Sequence, residues 1–200
     1  MATRPGCLIA FEGLDQSGKE TQAKRLLACL TSHGRLAEMV AFPDYRTPIG
    51  QEIERALRGE REYLADVMQL LYVANRYEWK PAIERLLAAG RIVIADRYLA
   101  SSVAYGEAQG LDPAWLLEVQ RFLPQPDLTL LLDITPATAV QRKRVNRDRY
   151  ERDLDLLGRV RRSYQRQAGN PGWCRINGEQ EPDAVAEEVA TTVVRQLALL

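Results

Sequence analysis

Residues Phe11 to Gln22 read FEGLDQSGKETQ. Gly13, Gly18 and Lys19 keep the G-x-x-x-x-G-K spacing of a turn that cradles phosphate. The chemistry requires several backbone N–H groups aimed at one anion. Glycine at 13 and 18 permits the unusual backbone angles and the close approach this needs. Leu14, Asp15, Gln16 and Ser17 then form the wall of the cradle. A helix starting behind the turn adds its positive N-terminal end, and Lys19 reaches the β- and γ-phosphates. The pattern asks for Ser or Thr after the lysine, to hold Mg²⁺ through a hydroxyl. Here the residue is Glu20, with Thr21 one position late. Three readings stay open for Glu20. It faces solvent in the first helical turn, it neighbours Mg²⁺ directly or through water, or it repels the phosphates and silences the site.

Other residues with chemical potential stand at fixed places along the chain. Asp96 and Arg97 close the apolar run RIVIAD (91–96), where a carboxylate can meet a metal–phosphate complex and a guanidinium can clamp phosphate oxygens. Tyr72 and Arg76 are four apart in a helical pattern and so share a face. The run RKRVNRDRYER (142–152) carries Arg142, Lys143, Arg144, Arg147, Arg149 and Arg152.

These groups need a frame. CLIAFEG (7–13) is a fully apolar strand running into glycine, and residues 19–34 have helical spacing stopped at Gly34. Strands are expected at 36–42, 91–96, 128–134 and 173–177. Helices are expected at 48–58, at 62–88 with a kink or new start at Pro81, at 135–144, and from about Asp183. Strands alternating with helices imply a parallel sheet covered on both faces. Ligands in such sheets sit at the carboxyl ends of the strands. The loop after residue 12, FPDY after 41 and DRY after 95 all fall there.

Bulk composition narrows the rest. Two hundred residues suit one domain, 1–200, with a small lid at most. Lys plus Arg equals Asp plus Glu at 27 each, and acids interleave the arginine run, so no nucleic-acid partner is expected. Cys7, Cys29 and Cys174 have no metal-ligand or redox spacing and fit reduced thiols in a cytoplasmic protein. No stretch approaches the roughly 18 apolar residues of a membrane helix, so no membrane partner is expected.

Together with FPDYRTPIG (42–50), LLYVANRYEW (70–79), DRYLASSVAYG (96–106) and RDRYERD (147–153), the phosphate loop resembles that of the thymidylate kinases. The resemblance covers nearly the whole chain. It implies an α/β P-loop kinase fold, with a five-stranded parallel sheet, helices on both faces and a small lid at about 142–153. The implied reaction moves the γ-phosphate of ATP to dTMP with Mg²⁺, in a homodimer. Asp15 would grip the sugar 3′-hydroxyl and arrange nearby arginines, Tyr72 would stack on thymine, and Arg76 would bond a base oxygen. Phe42 would line the same pocket. Asp96 would meet Mg²⁺, Arg97 would clamp the acceptor phosphate, and Ser101, Ser102 and Tyr105 would continue that wall. Tyr150 aligns with a tyrosine near the acceptor nucleoside.

Two departures follow. Some relatives carry a catalytic arginine at the place of Gln16; here the lid must supply the charge, from Arg147 or Arg149, with Arg142 and Arg144 nearer ATP. The arginine that many relatives have close after the proline is displaced, so either Arg46 shifts in or Tyr45 donates its hydroxyl instead. Two rival readings remain: a deoxynucleoside or other nucleoside-monophosphate kinase of the same fold, and a non-catalytic nucleotide-binding protein.

Overall fold

Three apolar runs lose essentially all contact with water. These are β1 (Cys7–Glu12), β3 (Ile92–Asp96) and β4 (Leu128–Asp133). Such runs form strands covered on both faces, because each alternate side chain needs its own apolar layer. The computed structural model describes residues 6–142 and 153–197. It places these strands at the centre of a five-stranded sheet of order β2-β3-β1-β4-β5. Every pairing is parallel. The partly exposed edges are β2 (Ala37–Ala41) and β5 (Trp173–Asn177).

The period of two sorts the side chains. Ile9, Phe11, Ile92, Ile94, Leu130 and Leu132 pack with Ala23, Leu26 and Leu30 of α1 (Lys19–Ser32) and with Val185, Val189 and Val193 of α8 (Pro182–Leu197). Leu8, Ala10, Val93 and Ala95 face the other way, against Ile83 of α3 (Ala65–Ala88) and Leu99 of α4 (Leu99–Ala108). Fully burying a Leu, Ile or Val is worth about 1.5–3 kcal/mol, so each layer contributes many such terms. The remaining helices among the described residues are α2 (Pro48–Leu57), α5 (Pro113–Glu118), α6 (Pro136–Arg142) and α7 (Leu154–Gln167). No described helix is long and apolar enough to cross a membrane.

Pro81 does not start a new helix. It lies inside the continuous α3. Helices α4, α5 and α7 were not expected from periodicity. Of the expected lid, residues 143–152 lie outside the described residues, and with them Arg144, Arg147, Arg149 and Tyr150.

Candidate active site

Register brings the chemistry to one end of the sheet. Phe11 pairs with Asp96, and Asp96 with Ala41. The loops after β1, β2 and β3 therefore leave the sheet side by side.

The turn after β1 owes its shape to its glycines. Gly13 has φ 141°, and a Cβ there would come 2.4 Å from the Leu132 carbonyl oxygen. Gly18, at φ 93°, is the residue before α1. Gln16 takes φ 63° without being glycine, so the turn holds it in a costly conformation. Lys19 Nζ donates to the Leu14 carbonyl at 2.7 Å and contacts Ser17 Oγ at 3.4 Å. Burial, then the neighbouring Arg97 charge, pulls the lysine down to about 8, against the opposing pull of Asp15, Asp96 and Glu12. Arg142 caps the outside of the turn, donating to the carbonyls of Gln16 at 3.2 Å and Gly178 at 2.9 Å.

Arg97 is the hub. Its backbone has φ 62°, and its N–H donates to the Phe11 carbonyl. Its guanidinium binds Asp15 Oδ1 and lies over the Tyr105 ring, 5.4 Å from the centroid. Tyr105 donates its hydroxyl to Asp15 Oδ2 at 2.9 Å. Burial pushes the Asp15 carboxyl up, but Arg97 and Lys19 together hold it far below the usual range. Asp15 is therefore an anion inside a phosphate loop, held there by two cations. Arg97 Nη1 also donates to Ser101 Oγ at 3.2 Å and to the Tyr164 hydroxyl at 3.3 Å.

Beside this hub opens a cleft of about 570 Å³ counted with its open mouth. Asp15, Phe42, Tyr45, Tyr72, Arg76, Arg97, Ser101, Ser102 and Tyr105 all line it, as the sequence led us to expect. Arg76 is buried and donates to Ser102 Oγ at 2.7 Å and to Gln120 Oε1 at 3.3 Å. Burial pushes its guanidinium below the ordinary value. Sequence reasoning missed Leu57 and Gln69 on the lining, and Glu12 and Tyr164 behind it. Glu12 carries no positional signal beyond ending an apolar strand, and Tyr164 lies on a helix no pattern announced.

Two expected residues go elsewhere. Arg46 does not shift into the cleft. The buried Asp44 takes its guanidinium in two bonds, Nε to Oδ1 at 2.8 Å and Nη2 to Oδ2 at 3.0 Å, and Trp79 adds its ring 5.9 Å away. Asp44 is itself fixed by Trp79 Nε1, and its backbone by Asn75. Of the two alternatives, Tyr45 is the one at the cleft. Glu20 turns to solvent. Its carboxylate pairs with Lys24 at 2.5 Å, one helical turn on, with both side chains about two-thirds exposed. The acid-before-base order at that spacing favours this pair. Thr21 is exposed on the same helix.

Asp96 is the carboxylate left for a cation. Its Oδ1 is buried with no hydrogen-bond partner among the described residues. Burial raises its pKa, with Lys19 and Arg97 opposing. A bare carboxylate oxygen beside a phosphate cradle fits Mg²⁺, which takes one or two protein carboxylates and completes its shell with phosphate and water.

Comparison with known proteins points to one family. The sequence model of one family, described as Thymidylate kinase, matches residues 11–189. A thymidylate kinase of Arabidopsis thaliana is 36% identical over 192 residues, covering 96% of this chain and 72% of that protein. The Homo sapiens thymidylate kinase is 32% identical over 191 residues, covering 94% and 90%. The solved structure of the thymidylate kinase from Candida albicans, described as having broad substrate specificity, superposes with TM-score 0.87 at 29% identity, covering 98% of this chain and 94% of that one.

Proposed function

The chain belongs to the thymidylate kinase family, and from that premise we propose how its residues divide the work. The reaction is transfer of the γ-phosphate of ATP to dTMP, giving dTDP and ADP. ATP's phosphates lie on residues 13–19, with Lys19 as the point charge and Arg142 near the donor nucleotide. In the cleft, dTMP stacks its base on Tyr72 against Phe42. Arg76 reads a base oxygen, Arg97 and Tyr45 hold the acceptor phosphate, and Tyr105 with Asp15 meets the sugar. The single observation that carries this reading is Arg97, tied to the loop through Asp15 and open to the cleft through its wall.

Catalysis here is positioning plus charge neutralisation. The acceptor phosphate is already anionic, so no side chain need remove a proton. Lys19 and Arg97 draw the two phosphates together against their own repulsion. Asp96 would hold Mg²⁺, which neutralises charge on the transferring phosphate when bound. Because Gln16 is uncharged, the further arginine comes from the run at 142–152. Arg147 and Arg149 are our candidates, and Arg144 and Tyr150 serve donor and acceptor respectively.

We place the protein in the cytoplasm as a homodimer. Three thiols that form no disulfide support the first. For the second, Leu64, Val67 and Leu70 stand exposed three residues apart at the start of α3, an apolar strip suited to a second copy.

An ADP-release assay with dTMP, dUMP, dCMP, dGMP and thymidine tests the function. Turnover greatest with dTMP is expected. Thymidine as the preferred acceptor would move the assignment to the deoxynucleoside kinases, and nucleotide binding without turnover would make the protein a sensor.

A further inference from the structure

We propose that Glu12 is a positioning residue for the acceptor-phosphate arginine, acting through the hydroxyls of Ser101 and Tyr164. Glu12 ends β1, is fully buried, and is not on the cleft lining. Its Oε1 accepts the backbone N–H groups of Tyr98 at 2.9 Å and Ser101 at 3.2 Å, at the start of α4. Its Oε2 accepts the Ser101 hydroxyl at 2.6 Å and the Tyr164 hydroxyl at 3.1 Å. One carboxylate thus joins β1, α4 and α7, with every bond donated to it.

The direction of those bonds decides what Arg97 meets. A hydroxyl has one proton and two lone pairs. The two hydroxyls also lie 2.9 Å from each other, so their protons go to Glu12 or from one hydroxyl to the other; in either order each oxygen keeps a lone pair on the side away from Glu12. Arg97 Nη1 sits there, 3.2 Å from Ser101 Oγ and 3.3 Å from the Tyr164 oxygen. Burial, then the Glu12 charge, pushes the Tyr164 phenol up, so it stays a donor. The carboxylate orients two neutral dipoles, and the dipoles hold a cation that a direct contact would otherwise withdraw from substrate. Arg97 needs such support, because its left-handed backbone has no glycine to relieve it. Asp15 fixes one end of the guanidinium, and the two hydroxyls fix the other together with the Gly13 carbonyl, which accepts from the same Nη1 at 3.2 Å.

The prediction changes sharply with the charge of Glu12. In Glu12→Gln an amide N–H₂ would face the two hydroxyls. It would donate to them; one hydroxyl can still donate to the other, but the remaining proton is left facing Arg97, donor against donor. Tyr164→Phe removes one hydroxyl while keeping the buried ring, and Ser101→Ala removes the other.

The inference rests on Arg97 binding the acceptor phosphate, so the test isolates phosphate from nucleoside. Calorimetry on the full chain would measure dTMP, thymidine and ADP in wild type, Tyr164→Phe and Glu12→Gln. We expect the preference for dTMP over thymidine to shrink by about three- to tenfold in Tyr164→Phe, the scale of one hydrogen bond, with thymidine and ADP affinities unchanged. Glu12→Gln should lose at least as much. An unchanged preference in Tyr164→Phe overturns the proposal even if Glu12→Gln does not fold. So does a loss shared equally by thymidine and ADP, which would mark a merely structural role. A wild type without preference for dTMP would instead sink the assignment of Arg97, and the inference with it.

Discussion

Among the described residues Arg76 hydrogen-bonds no carboxylate, only the neutral oxygens of Ser102 and Gln120. A buried guanidinium held this way retains donors for a base oxygen. Removing it strips a charged hydrogen bond, so Arg76→Ala should lower kcat/KM for dTMP by about 2–4 kcal/mol in transition-state terms. ATP affinity measured alone should stay at the wild-type value; a parallel loss of ATP binding would show that the change had damaged the loop instead. Lys19 supplies a pH signature. With its pKa drawn down to about 8 in the free protein, it is charged below that value and neutral above. Nucleotide phosphate favours the charged form and raises the pKa again. Binding must then take up a proton above pH 8, and affinity falls as pH rises, by up to about tenfold per unit. Calorimetry with ADP at pH 8.5 in buffers of different ionisation enthalpy should show net proton uptake on binding. No uptake would mean that Lys19 is already fully charged in the free site.

Among the elements, α3 and α4 divide the cleft between them, and they were unequally legible. The expectation for α3 came from its periodic pattern, and Tyr72 and Arg76 fall on one face of it. Helix α4 is LASSVAYGEA, buried on nearly every side by the sheet and by α7. A helix without a solvent face has no polar stripe, so periodicity cannot report it. Helix α7 is amphipathic, but its charged face continues the arginine run before it and disguises its start. That start is marked by Asp153, whose side chain accepts the Leu156 N–H at 2.9 Å. Asp153→Ala should destabilise the protein by about 1 kcal/mol. For a chain of this size that corresponds to a melting temperature lower by about 2–4 °C. A calorimetric scan checks it; an unchanged midpoint would show that the cap contributes nothing to α7.

For the molecule as a whole, an exposed apolar strip bears on association. Leu64, capping α3, is 76% exposed and Leu70 on it 44%, and the same helix carries Tyr72 and Arg76 into the cleft. A partner covering that strip would stabilise the helix that reads the base. We expect light scattering to give twice the 22.6 kDa chain mass. Leu70→Glu, which would bury a charge in the interface, should shift the species to the single-chain mass. A dimer that survives this change would place the interface on another face.

The sequence by itself determined the order of the strands along the chain, the phosphate turn and most of the cleft residues. These signals are local: apolar runs, two glycines five apart, and side chains one helical turn apart. It could not decide between Arg46 and Tyr45, or among the orientations of Glu20. Each choice depends on which partner lies within about 3 Å. Asp44 captures Arg46 only because Asn75 and Trp79, about thirty residues on, hold that carboxylate and its loop in place. Lys24 captures Glu20 because α1 begins where it does. The same holds for Glu12 and Tyr164, which are 152 positions apart and meet only across the folded sheet. A hydrogen bond reads distance in space, and separation along the chain does not fix that distance until the core has formed.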